Sequence, residues 1–368
     1  MKEIFNKNKI DHTQEPIFFG ESLGSQRFDV FKVPQFETLS TKSLSQFWLP
    51  QEVSLQRDRS DFKNLTDAQK RIFTKNLQYQ ILLDSCQSRG VIASLLPIIS
   101  IPELESLTII WSFFELIHSR SYTYLIKNVY NNPSEVFDEI LDIKEILERA
   151  DSVTKQYNIL MDEIKKIKEF NTEEEWKKIY KALYLGLVSV YILEGIRFYV
   201  SFACSFAFAE IKLMEGSAKI MELIARDEAL HMSTTSHLIN MIHETPEKVV
   251  PHSELMKIVV EENKDNVVSL FKEAVEQEKE WAEFLFKEGT MLGLSDKLLI
   301  SYVEYLAGRR MNVIGIPTSY TEKHNPLPWT ENWLSQKAKQ VAPQESQKTE
   351  YLVGGVSNKG VDKKKLSL

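Results

Sequence analysis

Apolar residues recur along most of this chain with the three- and four-residue spacing of amphipathic α-helices. Few segments show the apolar–polar alternation of a half-buried strand. The 368 residues include only 13 Gly and 12 Pro, and long stretches contain neither. The pattern therefore predicts an all-α protein built as a bundle of long helices.

Helix-start and helix-stop residues place the individual elements. Residues 66–69 (TDAQ) have the form of a capping box and predict a helix that ends near Gln87. Residues 100–103 (SIPE) have the same form, with Pro in the first turn, and predict a helix that ends before Asn131. Further helices are predicted over the following ranges: one or two over 135–168, a long or broken one over 173–210, one over 217–243, and two over 253–288 and 295–313.

The character of the chain changes toward its C-terminus. After Ile316 turn-forming residues predominate, and from about residue 340 the sequence is polar and ends in KKKLSL. We expect an N-terminal arm over residues 1–30, one helical domain over 31–339, and a flexible tail over 340–368.

Composition narrows the class of protein. The net charge of −7 argues against a nucleic-acid-binding surface. The most membrane-like stretch, residues 184–210, contains Glu194 and Arg197, each of which would cost about 2.5–3.5 kcal/mol at the centre of an inserted helix. We therefore expect a buried helix in a protein that does not enter the membrane.

Cysteine usage indicates the compartment. Cys86 and Cys204 are the two cysteines, far apart in the sequence, and the N-terminal residues contain no apolar signal core. These features predict a cytoplasmic protein. Any dithiol chemistry on a substrate would have to come from another chain.

One predicted helix carries an unusual set of polar residues. In SFFELIHSRSYTYL (112–125), Glu115, His118 and Tyr122 fall within an arc of about 60°. Trp111 lies in the same arc. A carboxylate, an imidazole and a phenol thus share one stripe of an otherwise apolar helix.

A second set repeats part of this arrangement. Asp84, alone on an apolar helix, precedes the Glu115-x-x-His118 pair by 31 residues. Glu194 precedes Glu228-x-x-His231 by 34 residues. Two E-x-x-H helices and two helices with one acid each form the di-iron or di-manganese site of ferritin-like bundles.

Charge and ligand chemistry favour this metal interpretation over isolated surface pairs. Four carboxylates balance two divalent cations, whereas the same carboxylates buried without a cation would cost several kcal/mol each. Oxygen and imidazole donors suit iron or manganese better than zinc.

Tyr122 would most simply be a core tyrosine with a bonded hydroxyl. Its position one turn beyond His118 instead places the phenol beside the predicted metals, which could oxidise it to a radical. Phe198, Phe202 and Ile224 lie near the predicted ligands in sequence and could form the dry surroundings that a radical needs.

Motifs through nearly the whole chain carry a resemblance to a known family. The matching stretches are EPIFFG (15–20), QFWLPQEV (46–53), LQYQILLDS (77–85), LLPIISIPELE (95–105), ELIHSRSYT (115–123), EGIRFYVSFACSFAFAE (194–210), RDEALH (226–231) and VAPQE…YLVG (341–354). Together they resemble the small, radical-generating subunit of class I ribonucleotide reductase, in its iron–tyrosyl branch.

The resemblance implies a ferritin-like homodimer with two iron ions per chain, manganese being the second choice. One ion would be held by Asp84, Glu115 and His118. The other would be held by Glu194, Glu228 and His231, with Glu115 and Glu228 as bridging ligands.

The resemblance also implies the chemistry. Dioxygen would oxidise the iron pair and leave a radical on Tyr122, and a large catalytic subunit would use it to reduce ribonucleoside diphosphates. The transfer route carries over onto Trp48, Asp227 and Tyr351, with Glu345 tied to the transfer and the tail docking on the large subunit.

Two features depart from the family pattern. Phe114 stands beside the site where relatives have a small polar residue, and KKKLSL lacks the acidic terminus of several relatives. The alternatives to the reductase are a ferritin-like di-metal oxidase or oxygenase acting on a bound small molecule, with Tyr122 incidental, and a storage or scaffold bundle.

Overall fold

The computed structural model describes residues 4–167 and 171–335. The α-helices in these ranges are α1 (Pro34–Ser45), α2 (Gln56–Asn64), α3 (Asp67–Ser94), α4 (Pro102–Val129), α5 (Pro133–Asp138), α6 (Lys144–Lys166), α7 (Glu173–Ile192), α8 (Phe198–Glu210), α9 (Glu215–Glu244), α10 (Pro246–Val249), α11 (Ser253–Glu262), α12 (Lys264–Phe286), α13 (Asp296–Val313) and α14 (Thr330–Leu334). Short 3₁₀ turns occupy Pro50–Glu52, Leu96–Ile98 and Ile140–Asp142.

The predicted all-α class is confirmed. Within the described ranges, pairing of the strand type is limited to two isolated bridges. The long helices α3, α4, α7, α8 and α9 pack side by side, with α4 against α3 and α9, and α8 against α3 and α9. Their facing sides form the central bundle, and α6, α12 and α13 cover it from outside.

The start of α3 is confirmed, but its end is not where the sequence predicts. The Thr66 hydroxyl accepts a hydrogen bond from the Gln69 amide, and the Gln69 side chain binds the Thr66 amide in return. The helix then continues through Arg89-Gly90 to Ser94. Gly90 does not stop it because the ring of Tyr157 from α6 packs directly against that glycine.

The capping box predicted at residues 100–103 is wrong. Helix α4 begins at Pro102 with Ile101 as its cap, and Ile101 makes no side-chain capping bond. The Ser100 hydroxyl instead accepts a hydrogen bond from the Gly20 amide at 2.7 Å. Glu103 accepts a hydrogen bond from the Val33 amide. The residues that suggested a local cap therefore fix the N-terminal arm to the bundle.

The other boundaries agree with the sequence in outline. The stretch 173–210 forms one rod, in which a π-helical turn, Leu193–Arg197, separates α7 from α8. The single helix predicted over 253–288 is divided at Asn263, whose side chain binds the Val259 carbonyl. The predicted domain boundaries stay predictions, and the predicted tail over 340–368 lies outside the described residues.

The rod Glu173–Glu210 is long and apolar enough to cross a membrane, but its most apolar window is entirely buried in the protein. It is the central core helix of the bundle, as the charges of Glu194 and Arg197 predict.

The close packing of Gly90 gives a stability prediction. A Cβ atom at position 90 would lie 2.4–2.7 Å from ring atoms of Tyr157, so we expect Gly90→Ala to lower the free energy of unfolding by about 1–3 kcal/mol. Gly186→Ala is the matched control, because its Cβ would lie 3.9 Å from Leu160 on the same helix α6. That variant should be neutral or more stable by up to about 1 kcal/mol. Urea unfolding measures both, and equal stabilities would contradict the packing argument.

Candidate metal centre

Four buried segments supply the predicted ligands. They are α3 with Asp84, α4 with Glu115 and His118, the π turn with Glu194, and α9 with Glu228 and His231. All four carboxylates are 0% exposed. The i, i+3 spacing within α4 and α9 places each Glu and His on one helix face, directed toward the bundle axis.

The six side chains converge into two overlapping groups. Asp84, Glu115, His118 and Glu228 form one group, and Glu115, Glu194, Glu228 and His231 form the other. Within each group the candidate ligand atoms lie within 4.8 Å of one another. Glu115 and Glu228 belong to both groups, which is the arrangement needed for carboxylates that bridge two ions.

The donor atoms fit a pair of cations. Several of them are buried and make no hydrogen bond of regular geometry with the described residues, apart from contacts within the cluster itself: both carboxylate oxygens of Asp84, Oε2 of Glu115, Nδ1 of His118, Oε2 of Glu194 and Oε1 of Glu228. Unpaired buried acceptors are costly and rare in folded proteins. A cation at each group would satisfy them, and the oxygen-rich set with imidazole suits iron or manganese.

Without cations, the acids of the cluster differ in their affinity for protons. Burial, reinforced by neighbouring carboxylates, raises the pKa of Asp84 and of Glu194 well above the ordinary values. Burial also acts to raise the pKa of Glu228, but contacts with His231, Glu194 and His118 outweigh it and hold that pKa below its usual range.

The pKa values of the two imidazoles depend on the same carboxylates. Burial acts to lower the pKa of His231, yet Glu228 and Glu115 raise it to about 9. Burial is likewise outweighed at His118, whose pKa lies well above its ordinary value because of Asp227, Glu115 and Glu228. Protons thus compensate part of the buried negative charge, and bound cations would displace them.

Tyr122 lies on α4 one turn beyond His118 and is completely buried. Among the described residues its hydroxyl makes no hydrogen bond of regular geometry, and its nearest polar interaction is with Asp84. Burial, followed by the charge of Asp84, raises the pKa of the phenol well above its ordinary value. Phe198, Phe202 and Ile224 are also completely buried, and their role as a cage around Tyr122 stays a prediction.

A series of side-chain contacts connects the cluster with Trp48, which follows α1. Asp227 Oδ2 accepts a hydrogen bond from Trp48 Nε1 at 2.8 Å and lies 3.2 Å from His118 Nε2. Trp48 is completely buried, and its ring lies 6.5 Å from the His118 ring. The structure therefore brings Trp48 and Asp227 together beside a candidate ligand. Tyr351 and Glu345 lie outside the described residues.

Sequence reasoning missed some neighbours of the ligands. Gln87 on α3 donates a hydrogen bond to Glu194 Oε1 and accepts one from Tyr157 at 2.6 Å. Its position three residues after Asp84, on the same helix face, was the available signal.

The position predicted for Trp111 is confirmed, since its indole N–H donates a hydrogen bond to Glu115 Oε1 at 2.9 Å. Phe114, the departure from the family pattern, is buried.

Comparisons with known proteins agree with this geometry. The family model described as ribonucleotide reductase, small chain, matches residues 27–326. The chain is 46% identical to a ribonucleoside-diphosphate reductase subunit beta of Buchnera aphidicola, over 98% of this chain and 97% of the relative. It is 44% identical to the ribonucleoside-diphosphate reductase 1 subunit beta of Escherichia coli O157:H7, over 96% of each chain.

A solved structure shows the same architecture. The ribonucleotide reductase R2 subunit from Clostridium botulinum superposes with a TM-score of 0.74 at 26% identity, covering 90% of this chain and 98% of that one. The converging acids and histidines, the fold and the sequence matches agree, and the chain belongs to the ribonucleotide reductase small-chain family.

Proposed function

We propose that this chain is the small, beta subunit of a ribonucleoside-diphosphate reductase, which forms a radical on Tyr122 for a large subunit to use in reducing ribonucleotides. The observation that carries the proposal is a completely buried tyrosine one turn beyond a ligand-type histidine, close to Asp84 and the buried carboxylate cluster to which Asp84 belongs. Family membership favours this function over a di-metal oxidase acting on a bound small molecule.

We assign the six side chains as ligands of two metal ions. Asp84, Glu115 and His118 would hold one ion, and Glu194, Glu228 and His231 the other, with Glu115 and Glu228 shared. We propose iron, with manganese as the second choice for the same donor set. When bound, the metal pair would react with dioxygen and so provide the oxidant for Tyr122.

The protein's own part in the oxidation concerns Tyr122. The phenol would give up one electron to the oxidant that the metal pair and dioxygen supply and its hydroxyl proton toward Asp84, the carboxylate whose charge acts most strongly on that hydroxyl. Complete burial keeps water and solutes away from the oxidised ring. The raised pKa keeps the buried phenol protonated until it is oxidised, and loss of the electron together with the proton would leave a neutral radical.

Export of the radical would begin at Trp48. The indole is held by Asp227, which also contacts His118, so electron transfer can follow a short, hydrogen-bonded connection. We propose that Tyr351 continues the route and that the tail carrying Tyr351 and Glu345 docks on the large subunit. Both free cysteines lie within the small subunit's bundle and are widely separated in sequence, so we place the reducing thiols on the partner and the protein in the cytoplasm.

The experiment that tests the function is anaerobic loading with ferrous ions, followed by addition of oxygen and electron paramagnetic resonance spectroscopy. A tyrosyl signal formed without any organic substrate supports the reductase. Oxygen consumption that depends on an added substrate, with no such signal, would favour the oxidase instead.

We further propose that two copies associate through an apolar face, which we call the α4 face. Ile109, Phe113 and Leu116 lie at i, i+4 and i+7 on α4 and are each between 42% and 49% exposed. The Phe113 ring stacks on Phe47 at 5.9 Å, next to the exposed Leu44 of α1. Neighbouring apolar side chains that are exposed together on one helix are typical of a protein–protein interface.

Ile109→Glu tests the α4 face. In a two-fold dimer the change would place two carboxylates in one apolar interface, so we expect monomers at micromolar concentration. Leu292→Glu is the control, because Leu292 is even more exposed, at 79%, and lies outside this face. Sedimentation velocity measures the mass of each variant. A dimer of unchanged affinity in Ile109→Glu would exclude this face as the interface.

A further inference from the structure

One of the four carboxylates belongs to a residue in a different type of helix from the other three. Asp84, Glu115 and Glu228 lie within regular α-helices, whereas Glu194 belongs to the π turn Leu193–Arg197. A π turn contains one extra residue, is rare, and frequently occurs at functional sites. The direction of the Glu194 side chain therefore depends on how this turn is held.

Arg310 of α13 holds the turn from one side. Its Nε donates a hydrogen bond of 3.0 Å to the carbonyl of Gly195, the residue directly after Glu194. Its guanidinium lies over the ring of Tyr199 at 4.8 Å. The hydroxyl of Tyr191 donates to the Arg310 carbonyl. Arg310 thus contacts the rod before, within and after the π turn.

Glycine at position 195 permits this close approach. A Cβ atom there would lie 3.0 Å from Arg310 Nε, 3.1 Å from its Cδ and 3.2 Å from the sulfur of Met232. Met232 directly follows the candidate ligand His231. The backbone of Gly195 is therefore packed between Arg310 and the part of α9 that carries His231.

The last residue of the turn is fixed from a different helix. Arg197 is buried and donates hydrogen bonds to Glu278 at 2.9 Å, to Gln277 at 2.6 Å and to Ser152 at 3.0 Å. With this end anchored on α12 and α6, the Gly195 carbonyl is the point at which Arg310 can set the path of the turn.

We propose that Arg310 is a positioning residue that directs Glu194 toward the metal position it shares with His231. The inference rests on the proposed function, since it assumes that two ions bind. Arg310 touches neither ion. It would act through the Gly195 carbonyl, and its loss would let the turn relax and shift the Glu194 carboxylate away from the other residues that would hold the ion.

The test compares Arg310→Met with Arg309→Met in the full-length protein. Arg309 is the matched control: it is the adjacent arginine on α13, and it donates to the Tyr305 hydroxyl and lies over the Tyr305 ring. The probe is Mn²⁺ alone, titrated calorimetrically. Loss of a residue that orients a ligand typically costs 10- to 100-fold in metal affinity. We expect Arg310→Met to weaken one of the two Mn²⁺ sites about tenfold or more, and Arg309→Met to leave both unchanged.

Electron paramagnetic resonance of the same samples supplies a readout that lost stability alone would not change. With two equivalents of Mn²⁺, the wild type and Arg309→Met should give the signal of a coupled pair. Arg310→Met should give the six-line signal of isolated ions. Gly195→Ala, which displaces the arginine side chain, should behave like Arg310→Met, and Arg310→Lys should recover part of the lost affinity.

The outcomes separate this inference from the proposed function. If the wild type binds two ions and both Arg310→Met and Gly195→Ala bind them with unchanged affinity and signal, the positioning role is wrong, even if their melting temperatures fall. If the wild type binds a pair of ions neither as Mn²⁺ nor as Fe²⁺ loaded without oxygen, the proposed function fails and the inference with it.

Discussion

Tyr122→Phe should abolish the tyrosyl signal and reduce nucleotide reduction with the large subunit to background, while the protein still binds two metal ions. The substitution removes only a hydroxyl group that makes no hydrogen bond of regular geometry among the described residues and otherwise interacts with Asp84. Deleting such a group is nearly neutral for folding, so we expect the free energy of unfolding to change by less than about 1 kcal/mol. Phenylalanine is much harder to oxidise than tyrosine, so no radical should form on residue 122.

Metal analysis and electron paramagnetic resonance on one preparation check both parts of this result. Tyr124→Phe is the control, because Tyr124 lies two residues further along α4 and its hydroxyl binds the Val53 carbonyl at 2.9 Å, away from the ligands. That variant should keep the signal and the turnover. A tyrosyl signal of normal intensity in Tyr122→Phe would show that the radical resides elsewhere.

Trp48→Phe should separate radical formation from radical use. The variant loses the indole N–H that binds Asp227 at 2.8 Å, so transfer to the large subunit should stop while the Tyr122 signal still forms. Because a buried carboxylate loses a donor, we also expect a loss of about 1–3 kcal/mol in stability. Nucleotide reduction with the large subunit, normalised to the radical content, measures the effect.

Trp281→Phe controls for that loss of stability. Trp281 is as deeply buried as Trp48, but it packs against Tyr79 and Arg149 and its indole N–H has no partner in the described part of the chain. This variant should keep turnover. Tyr351→Phe should share the phenotype of Trp48→Phe. Full turnover in Trp48→Phe would rule out the indole as a relay.

The sequence allowed the cluster to be predicted because its members obey local rules. Glu115 and His118 share a helix face by spacing alone, and an acid such as Asp84 is conspicuous on an apolar helix. The predicted end of α3 and the predicted capping box at Ser100 were wrong because tertiary contacts determine the local structure there. Tyr157 packs on Gly90, and the Ser100 hydroxyl binds the N-terminal arm.

The surroundings of Glu194 could not be predicted from the sequence for a related reason. The residues around it continue the helical period on both sides, and nothing local marks the extra residue of the π turn. Arg310, which binds the Gly195 carbonyl, lies more than a hundred positions away on α13. Contacts of this kind depend on how helices pack, and helix packing is not encoded in the spacing within any one helix.

Asp227 contacts both the indole of Trp48 and Nε2 of His118. When a cation binds at Nδ1, Asp227 would accept the remaining proton on Nε2, which fixes the tautomer of the imidazole and leaves the lone pair of Nδ1 for the metal. Under the proposed function, Asp227 Oδ2 would therefore influence both the basicity of His118 as a metal ligand and the first step of electron transfer through Trp48. We therefore expect any exchange of Asp227 to alter metal retention and nucleotide reduction together, so a defect in one cannot be interpreted unless the other is assayed in the same sample.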